Sequence, residues 1–131
     1  MPWQTQAITC IDPRWCRTQR RCWNCLENLK TNRQSFYCSE ICARVFERNH
    51  LWQPAVRYAL QRFKERCGHC GSTLKLEVNH IEPLRGQYRT WNCLNHQSNL
   101  EVLCHACHLT VTEQQFRPDK AAKRLAQEVL L

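Results

Sequence analysis

Leu74-Lys-Leu-Glu-Val-Asn-His-Ile-Glu-Pro83 is the segment around which the expected fold is built. Leu74, Leu76 and Val78 alternate with polar residues, a pattern that predicts a half-buried strand. Proline cannot donate to a strand ladder, so the strand should end before Pro83. Asn79 and His80 should therefore lie at the far end of a strand. Their side chains can bind metal ions and transfer protons.

Two pieces downstream complete the unit. Ser98-Asn-Leu100 leads into Glu101-Val-Leu103, a second short strand candidate, and Cys104 to about Gln115 has the pattern of a helix. This helix would place Cys107 and His108 in its first turn. The expected order is strand, loop, strand, helix, with the polar residues Asn79, His80, Asn99 and His108 at its corners.

Eleven cysteines in 131 residues need an explanation, either as a secreted disulfide framework or as intracellular metal sites. Their spacing favours metal. Two knuckle pairs recur, and four thiolates around one zinc ion would leave no open coordination position, so both ions would be structural. The first expected zinc site consists of Cys22, Cys25, Cys38 and Cys42, and the second of Cys67, Cys70, Cys104 and Cys107. Buried free thiols are the competing interpretation, and Cys10, Cys16 and Cys93 have no assigned role.

The composition is basic and globular. Nineteen Lys and Arg against eleven Asp and Glu give a formal net charge of +8, which favours polyanion partners or, more simply, a soluble basic domain. The N-terminal residues lack the apolar core of a signal peptide, and no run approaches the length of a membrane span. We expect an intracellular protein, cytoplasmic or nucleoid-associated, with no membrane partner.

Asn79-His80, Asn99 and His108, together with the cysteine pairs around them, resemble the HNH endonuclease family and its ββα-metal fold over Cys67 to about Glu113. The resemblance implies that His80 is the general base and that Asn79 and His108 hold a catalytic divalent metal ion, Mg²⁺ or Mn²⁺. Asn99 would join that metal or orient the base. The family often has Asp or His at the position of Asn79, and an amide is a weaker ligand for a hard cation than a carboxylate. Weak or manganese-preferring metal binding would follow.

A longer likeness covers most of residues 22–117. A four-cysteine finger, a linking helix and an HNH core in this order resemble the C-terminal nuclease module of SNF2-type annealing helicases of the zinc-finger RAN-binding class. HNH modules are also attached to RNA-guided DNA-targeting complexes. The resemblance implies DNA as the substrate and a helicase or RNA-guided effector as the targeting partner.

The predicted fold class is a small α+β zinc-stabilised protein with a treble-clef-like HNH core. The expected segments are a basic N-terminal arm (1–21), a four-cysteine zinc finger (22–53), a linking helix (54–66), the HNH core (67–117) and a C-terminal helix (118–131). Within the finger, Ser39 is a candidate N-cap for a helix to about Asn49 with Ile41, Val45 and Phe46 facing inward.

Several side chains allow two interpretations. The loop 85–97, with Arg85, Tyr88, Arg89 and Trp91, is either a DNA-contacting element or a small packed cap. The basic residues of the linking helix face phosphate or form an ordinary solvated face; they are Arg57, Arg62, Lys64 and Arg66. His50 is a spare ligand candidate, but a lone surface histidine is the simpler expectation.

The sequence thus predicts a metal-dependent DNA endonuclease that hydrolyses phosphodiester bonds. Two alternatives stay open at this point. One is a zinc-stabilised nucleic-acid-binding module whose nuclease site has decayed through Asn79, and the other is a double zinc finger that docks on protein and has no magnesium-dependent activity.

Overall fold

The computed structural model describes residues 13–84 and 91–116, and it shows a small α+β protein with a two-stranded sheet. Residues 1–12 of the expected basic arm, residues 85–90 of the expected DNA-contacting loop and the expected C-terminal helix lie outside the described residues. Within the described part, no helix is long and apolar enough to cross a membrane. The elements are α1 (Pro13–Thr18), α2 (Glu40–His50), α3 (Trp52–Arg62), β1 (Leu76–His80), two 3-10 turns (Cys93–Asn95 and Gln97–Asn99), β2 (Leu100–Cys104) and α4 (105–116).

The strands β1 and β2 form an antiparallel hairpin whose register runs from Leu76↔Cys104 to His80↔Leu100. Successive side chains of a strand point to opposite faces. Leu76, Val78 and His80 therefore share one face of the hairpin, and Glu77 and Asn79 share the other. The strand, loop, strand, helix order expected from the sequence is present.

The first face of the hairpin packs on α3. Val78 lies against the buried residues Leu100 and Val102, which pack on Ala55 and Ala59 of the helix. Small side chains on α3 allow this close approach, which forms the main apolar core. The sequence predicted a linking helix beginning at Pro54, whereas α3 begins two residues earlier at Trp52. Proline is tolerated in the first turn, where its missing N–H has no helical partner.

The opposite face is covered by α4. Leu103 forms a second buried cluster with Cys67 and Cys104, and Cys107 and Val111 of α4 pack against it. The helix begins one residue later than expected, because Cys104 still pairs with Leu76 as the last residue of β2.

The expectation that the first strand includes Leu74 is wrong. Lys75 has a φ of +50°, in the left-handed region that ends an extended run, and β1 begins only at Leu76. Leu74 is consequently 73% exposed. Alternation in the sequence could not show this local backbone reversal.

The helix α2 confirms its predicted cap and corrects its predicted inner face. The hydroxyl of Ser39 accepts a hydrogen bond from the Cys42 amide at 3.1 Å. Phe46 is buried as expected, but Ile41 is 75% exposed. The buried stripe continues from Phe46 to His50, one helical turn further on, and Ile41 lies off that stripe.

Aromatic side chains provide the packing of the cysteine-rich finger. Trp23 lies 4.7 Å from Phe36 and 5.6 Å from Phe46, measured between ring centroids, and Tyr37 lies 5.7 Å from Phe46. A segment this small cannot bury a large aliphatic core, so clustered rings and a metal ion are its available sources of stability.

Arg62 does not face phosphate or solvent as the sequence analysis allowed. Its Nη2 atom donates to the carbonyl oxygens of Gln97 and Leu100 at 2.8 and 2.9 Å. The guanidinium group thereby ties α3 to the segment before β2. Arg57, Lys64 and Arg66 are exposed, which leaves them available for a polyanion.

Candidate metal centres and active site

The first cysteine quartet is assembled as its spacing predicted. The sulfur atoms of Cys22, Cys25, Cys38 and Cys42 all lie within 4.8 Å of one another. Cys38 Sγ is 3.6 Å from both Cys25 Sγ and Cys42 Sγ. With Zn–S bonds of about 2.3 Å, two thiolates on one tetrahedral zinc ion are about 3.8 Å apart. The quartet therefore matches the dimensions of a tetrahedral thiolate site.

The second quartet joins the hairpin to the loop after α3. Cys67 and Cys70 come from that loop, Cys104 ends β2 and Cys107 lies in the first turn of α4, and all four sulfur atoms lie within 4.8 Å of one another. The amides of His69 and Cys70 each donate to Cys67 Sγ at 3.4 Å. Gly71, with a φ of +76°, allows the tight turn that aims these amides at sulfur.

The pKa values of the thiols differ widely within each quartet. Burial raises the pKa of Cys22, but backbone amides outweigh burial and lower it to about 7; for Cys67 the same balance gives a pKa of about 6. Burial raises the pKa of Cys25 to about 12, and a hydrogen bond with Cys104, together with burial, raises that of Cys107 to about 12. One thiol ionises easily in each quartet, and a second thiolate beside it is disfavoured. A central cation removes that repulsion.

His80 lies at the end of β1 with its ring held on two sides. The ring stacks on Trp52 at 4.8 Å between centroids, and its Nε2 atom lies 2.8 Å from Asn95 Oδ1. The amide of Asn95 is oriented by its Nδ2 atom, which donates to the carbonyl of His50 at 2.8 Å. Oδ1 of Asn95 is thus an acceptor, so His80 Nε2 carries the proton. Nδ1 of His80 is left with the lone pair that a base requires.

The side chain of Asn99 forms hydrogen bonds to the backbone of the loop that follows His80. Its Oδ1 atom accepts from the Glu82 amide at 2.7 Å, and its Nδ2 atom donates to the carbonyls of Glu82 and Leu94 at 3.1 and 2.8 Å. The backbone carbonyl of Asn99 accepts from Ile81 at 2.8 Å. Both side-chain atoms are engaged with backbone, which is the geometry that an orienting role requires.

Asn79 and His108 each have a glutamate partner that the sequence analysis did not single out. Asn79 is buried, and its Nδ2 atom donates to Glu101 Oε1 at 3.1 Å. Nδ1 of His108 lies 2.8 Å from Glu77 Oε2. A carboxylate accepts, so Nδ1 of His108 carries the proton and Nε2 has the lone pair. The hydrogen bond from His108 holds the pKa of the Glu77 carboxyl below its ordinary value.

These contacts place the candidate residues on both faces of the hairpin. Glu77 and Asn79 share the face covered by α4, where His108 lies, whereas His80 lies on the α3 face. Gln115 of α4 donates to the carbonyls of His80 and Ile81, both at 2.9 Å, and so fixes the end of β1 between the two faces. Asn79 and His80 are consecutive residues at the end of β1, so their side chains leave the strand on opposite faces.

The expectation that His50 is a lone surface histidine is wrong. His50 is only 4% exposed, and its Nε2 atom lies 3.1 Å from Nε2 of His96, which is also buried. Cys93 completes a group whose three donor atoms lie within 4.8 Å of one another. The described part of the loop 85–97 is thus a packed cap, with Trp91 stacked on His50 at 5.0 Å between centroids.

One relative of the chain is a protein of Lactococcus phage SK1 described as a probable HNH endonuclease. The two sequences are 35% identical over 69 residues, which cover 50% of this chain and 73% of the relative. No family model and no solved structure matches the chain. The description of this relative names the same family that the arrangement of Asn79, His80, Asn99 and His108 resembles. On this sequence identity and coverage, the chain belongs to the HNH endonuclease family.

Proposed function

We propose that the chain is a metal-dependent DNA endonuclease in which His80 activates water for attack on a phosphodiester bond. Two structural zinc ions, one in each cysteine quartet, would hold the scaffold. Asn79 and His108 would bind the catalytic divalent ion, Mg²⁺ or Mn²⁺, and Asn99 would orient the loop beside the base. The observation that carries the proposal is the hydrogen bond between His80 Nε2 and Asn95 Oδ1, which leaves Nδ1 as the candidate base at the hairpin end.

The protein contributes the base in an oriented form. Trp52 and Asn95 hold the ring, and His80 Nδ1 takes the proton of the attacking water as the new P–O bond forms. The proton-bearing Nε2 atom remains bonded to Asn95 Oδ1, which stabilises the imidazolium that results. General base catalysis of this kind contributes on the order of 10² to 10⁴ in rate.

An amide oxygen and an imidazole nitrogen, the two donors proposed at the α4 face, are both atom types that bind divalent cations. Hydrogen bonding of His108 Nδ1 to Glu77 leaves Nε2 as the ligand atom, an arrangement in which the carboxylate orients the imidazole and strengthens it as a ligand. The bond from Asn79 Nδ2 to Glu101 leaves the amide oxygen as the second donor. A bound divalent ion would stabilise the charge on the phosphate and on the leaving 3′ oxygen.

Plasmid cleavage across magnesium, manganese and EDTA tests the function. We expect nicking or linearisation with Mn²⁺, weaker activity with Mg²⁺, and none in EDTA, because an amide oxygen is a poor ligand for a hard cation. A folded, zinc-loaded protein without activity in either metal would favour the alternatives, a nucleic-acid-binding module or a protein-docking module. The expectation that a helicase or RNA-guided effector targets the nuclease comes from the resemblance and stays a prediction.

Asn79→Asp should keep or raise magnesium-supported cleavage, because a carboxylate is the harder ligand. The structure also predicts that the stability of this variant depends on the metal. The new carboxylate would face Glu101, to which Asn79 now donates, so without metal the two carboxylates should repel and lower the melting temperature. Saturating Mg²⁺ should reverse this loss and raise the melting temperature more for the variant than for the parent. Cleavage rate and melting temperature against Mg²⁺ concentration measure both effects.

The double variant Asn79→Asp/Glu101→Gln is the matched control, because glutamine restores a donor opposite the new carboxylate. It should recover metal-free stability while keeping magnesium-supported activity. Activity lost in both folded variants would mean that the Asn79 amide is needed as a hydrogen-bond donor, and the assignment of Asn79 as a ligand would be wrong.

DNA binding should be largely independent of base sequence and should weaken steeply with salt, because the positive charge of the chain would contact the phosphate backbone. Neutralising the exposed Arg57, Lys64 and Arg66 to glutamine should reduce the slope of log K against log salt by up to about 0.9 for each phosphate contact removed. Titration of unrelated duplexes at several salt concentrations measures the slope. Arg44→Gln, which removes an exposed partner of Glu40, is the control. A strong preference for one duplex at constant salt would contradict this prediction.

A further inference from the structure

We propose that His50, Cys93 and His96 form a third metal site, for zinc or a similar borderline divalent cation. The site is distinct from both cysteine quartets and from the pair Asn79 and His108. None of its three members was assigned a metal by the spacing of the cysteines.

The distances fit one ion. The three donor atoms lie within 4.8 Å of one another, and the two histidine Nε2 atoms are 3.1 Å apart. With Zn–N bonds of about 2.0–2.1 Å, two imidazole nitrogens on one tetrahedral zinc ion are about 3.3 Å apart. The separation of the two nitrogens is therefore close to that of two ligands of one ion.

The tautomer of His50 also fits. Its Nδ1 atom lies 2.7 Å from the carbonyl oxygen of Phe46, which can only accept, so Nδ1 carries the proton. Nε2 is then the lone-pair atom, and it is the atom directed at His96. Histidines that bind metals commonly donate their other ring N–H to a carbonyl or carboxylate in this way.

The ring of His50 is fixed before any ion arrives. It stacks against Phe46, at 3.9 Å between centroids, and against Trp91, at 5.0 Å. Burial lowers the pKa of both histidines, which is the direction that favours the neutral imidazole that binds metal. The Cys93 thiolate would supply one negative charge, and the fourth tetrahedral position would remain for water or another small ligand.

The site has a structural consequence that rests on the proposed function. His50 ends α2, and Cys93 and His96 flank Asn95, whose side chain contacts both the His50 carbonyl and His80 Nε2. An ion held by these residues would pin the turn that carries Asn95 to α2. Cys93 and His96 would then be positioning residues that act on the base through Asn95.

Metal analysis of the purified full chain in magnesium-free buffer tests the site without any cleavage assay. We expect about three zinc equivalents in the parent and about two in Cys93→Ser and in His96→Gln. His108→Gln, which removes a histidine of the proposed nuclease site, should keep three. Loss of the third equivalent in His108→Gln but not in Cys93→Ser would place that ion in the nuclease site and overturn the proposal.

If Cys93→Ser or His96→Gln does not fold, cobalt substitution of the parent and of His96→Cys tests the site instead. His96→Cys keeps three donors and adds a thiolate, so it should retain three cobalt equivalents and show stronger thiolate-to-cobalt charge transfer than the parent. Two equivalents in the parent, with no rise in charge transfer for His96→Cys, would show that the three residues are a hydrogen-bonded cluster without metal. Because the readout is metal content, an inactive nuclease with three equivalents would refute the proposed function alone.

Discussion

His80→Ala is expected to reduce plasmid cleavage by about 10² to 10⁴, on the order of what general base catalysis contributes, without changing zinc content or DNA affinity. The side chain lies outside both cysteine quartets, so neither quartet loses a donor with it. Its stacking on Trp52 and its hydrogen bond to Asn95 are lost, so the free energy of unfolding should fall by about 1 kcal/mol, the order expected for one aromatic contact. Cleavage rate, metal content, DNA affinity and melting temperature of the same preparation test these four expectations.

The control is Arg44→Ala, which removes an exposed side chain of α2 whose ion-pair partner, Glu40, is also exposed and has no proposed role in the chemistry. It should cleave at the parental rate. Adding more Mn²⁺ should not rescue His80→Ala, because the missing function is proton abstraction. If His80→Ala nicks plasmid at the parental rate, the base has been assigned to the wrong residue, and the activity comes from another site.

The features that local sequence determines were predictable. Knuckle spacing identified the members of each cysteine quartet, because two or three residues between cysteines suffice to turn the chain around one ion. The alternation around Val78 predicted β1, and Ser39 predicted the start of α2. Each of these signals comes from residues within a few positions of one another, although the two cysteine pairs of each quartet meet across 13 and 34 positions.

The features that depend on distant contacts were not predictable. His50 meets His96 across 46 positions and Glu77 meets His108 across 31, so no periodicity or spacing connects the partners. No sequence pattern identifies Asn95 as a site residue, because its proposed role comes from its contacts with His50 and His80 in the folded chain. Glu77 had a partial signal, because strand alternation places it on the same face as Asn79. The proposed site therefore depends on contacts that only the fold creates.

Cys104→Ser should have the opposite profile to His80→Ala, losing metal, fold and activity together. Cys104 is 8% exposed, ends β2 and packs with Leu103 and Cys67 in the cluster that joins the hairpin to α4. Serine is a poor zinc ligand, and the three remaining thiols would be left packed together without the ion that neutralises them. In small zinc domains, the free energy of zinc binding, about 10 kcal/mol or more, is largely the free energy that stabilises the fold. The cooperative thermal transition of residues 67–116 should therefore disappear.

Cys70→His and Cys70→Ser separate loss of the ion from loss of a cysteine. Cys70 is an exposed member of the same quartet, so histidine can replace it without entering the core, and a set of three cysteines and one histidine still binds zinc. Cys70→His should keep the metal, the thermal transition and the cleavage, whereas Cys70→Ser should lose metal as Cys104→Ser does. The first quartet shares no donor with the second, so its ion should remain in every variant. A Cys104→Ser protein that keeps its full zinc content and melting temperature would show that the second quartet does not hold the hairpin to α4. The end of β1, and with it His80, would then have to be positioned by the α3 face alone.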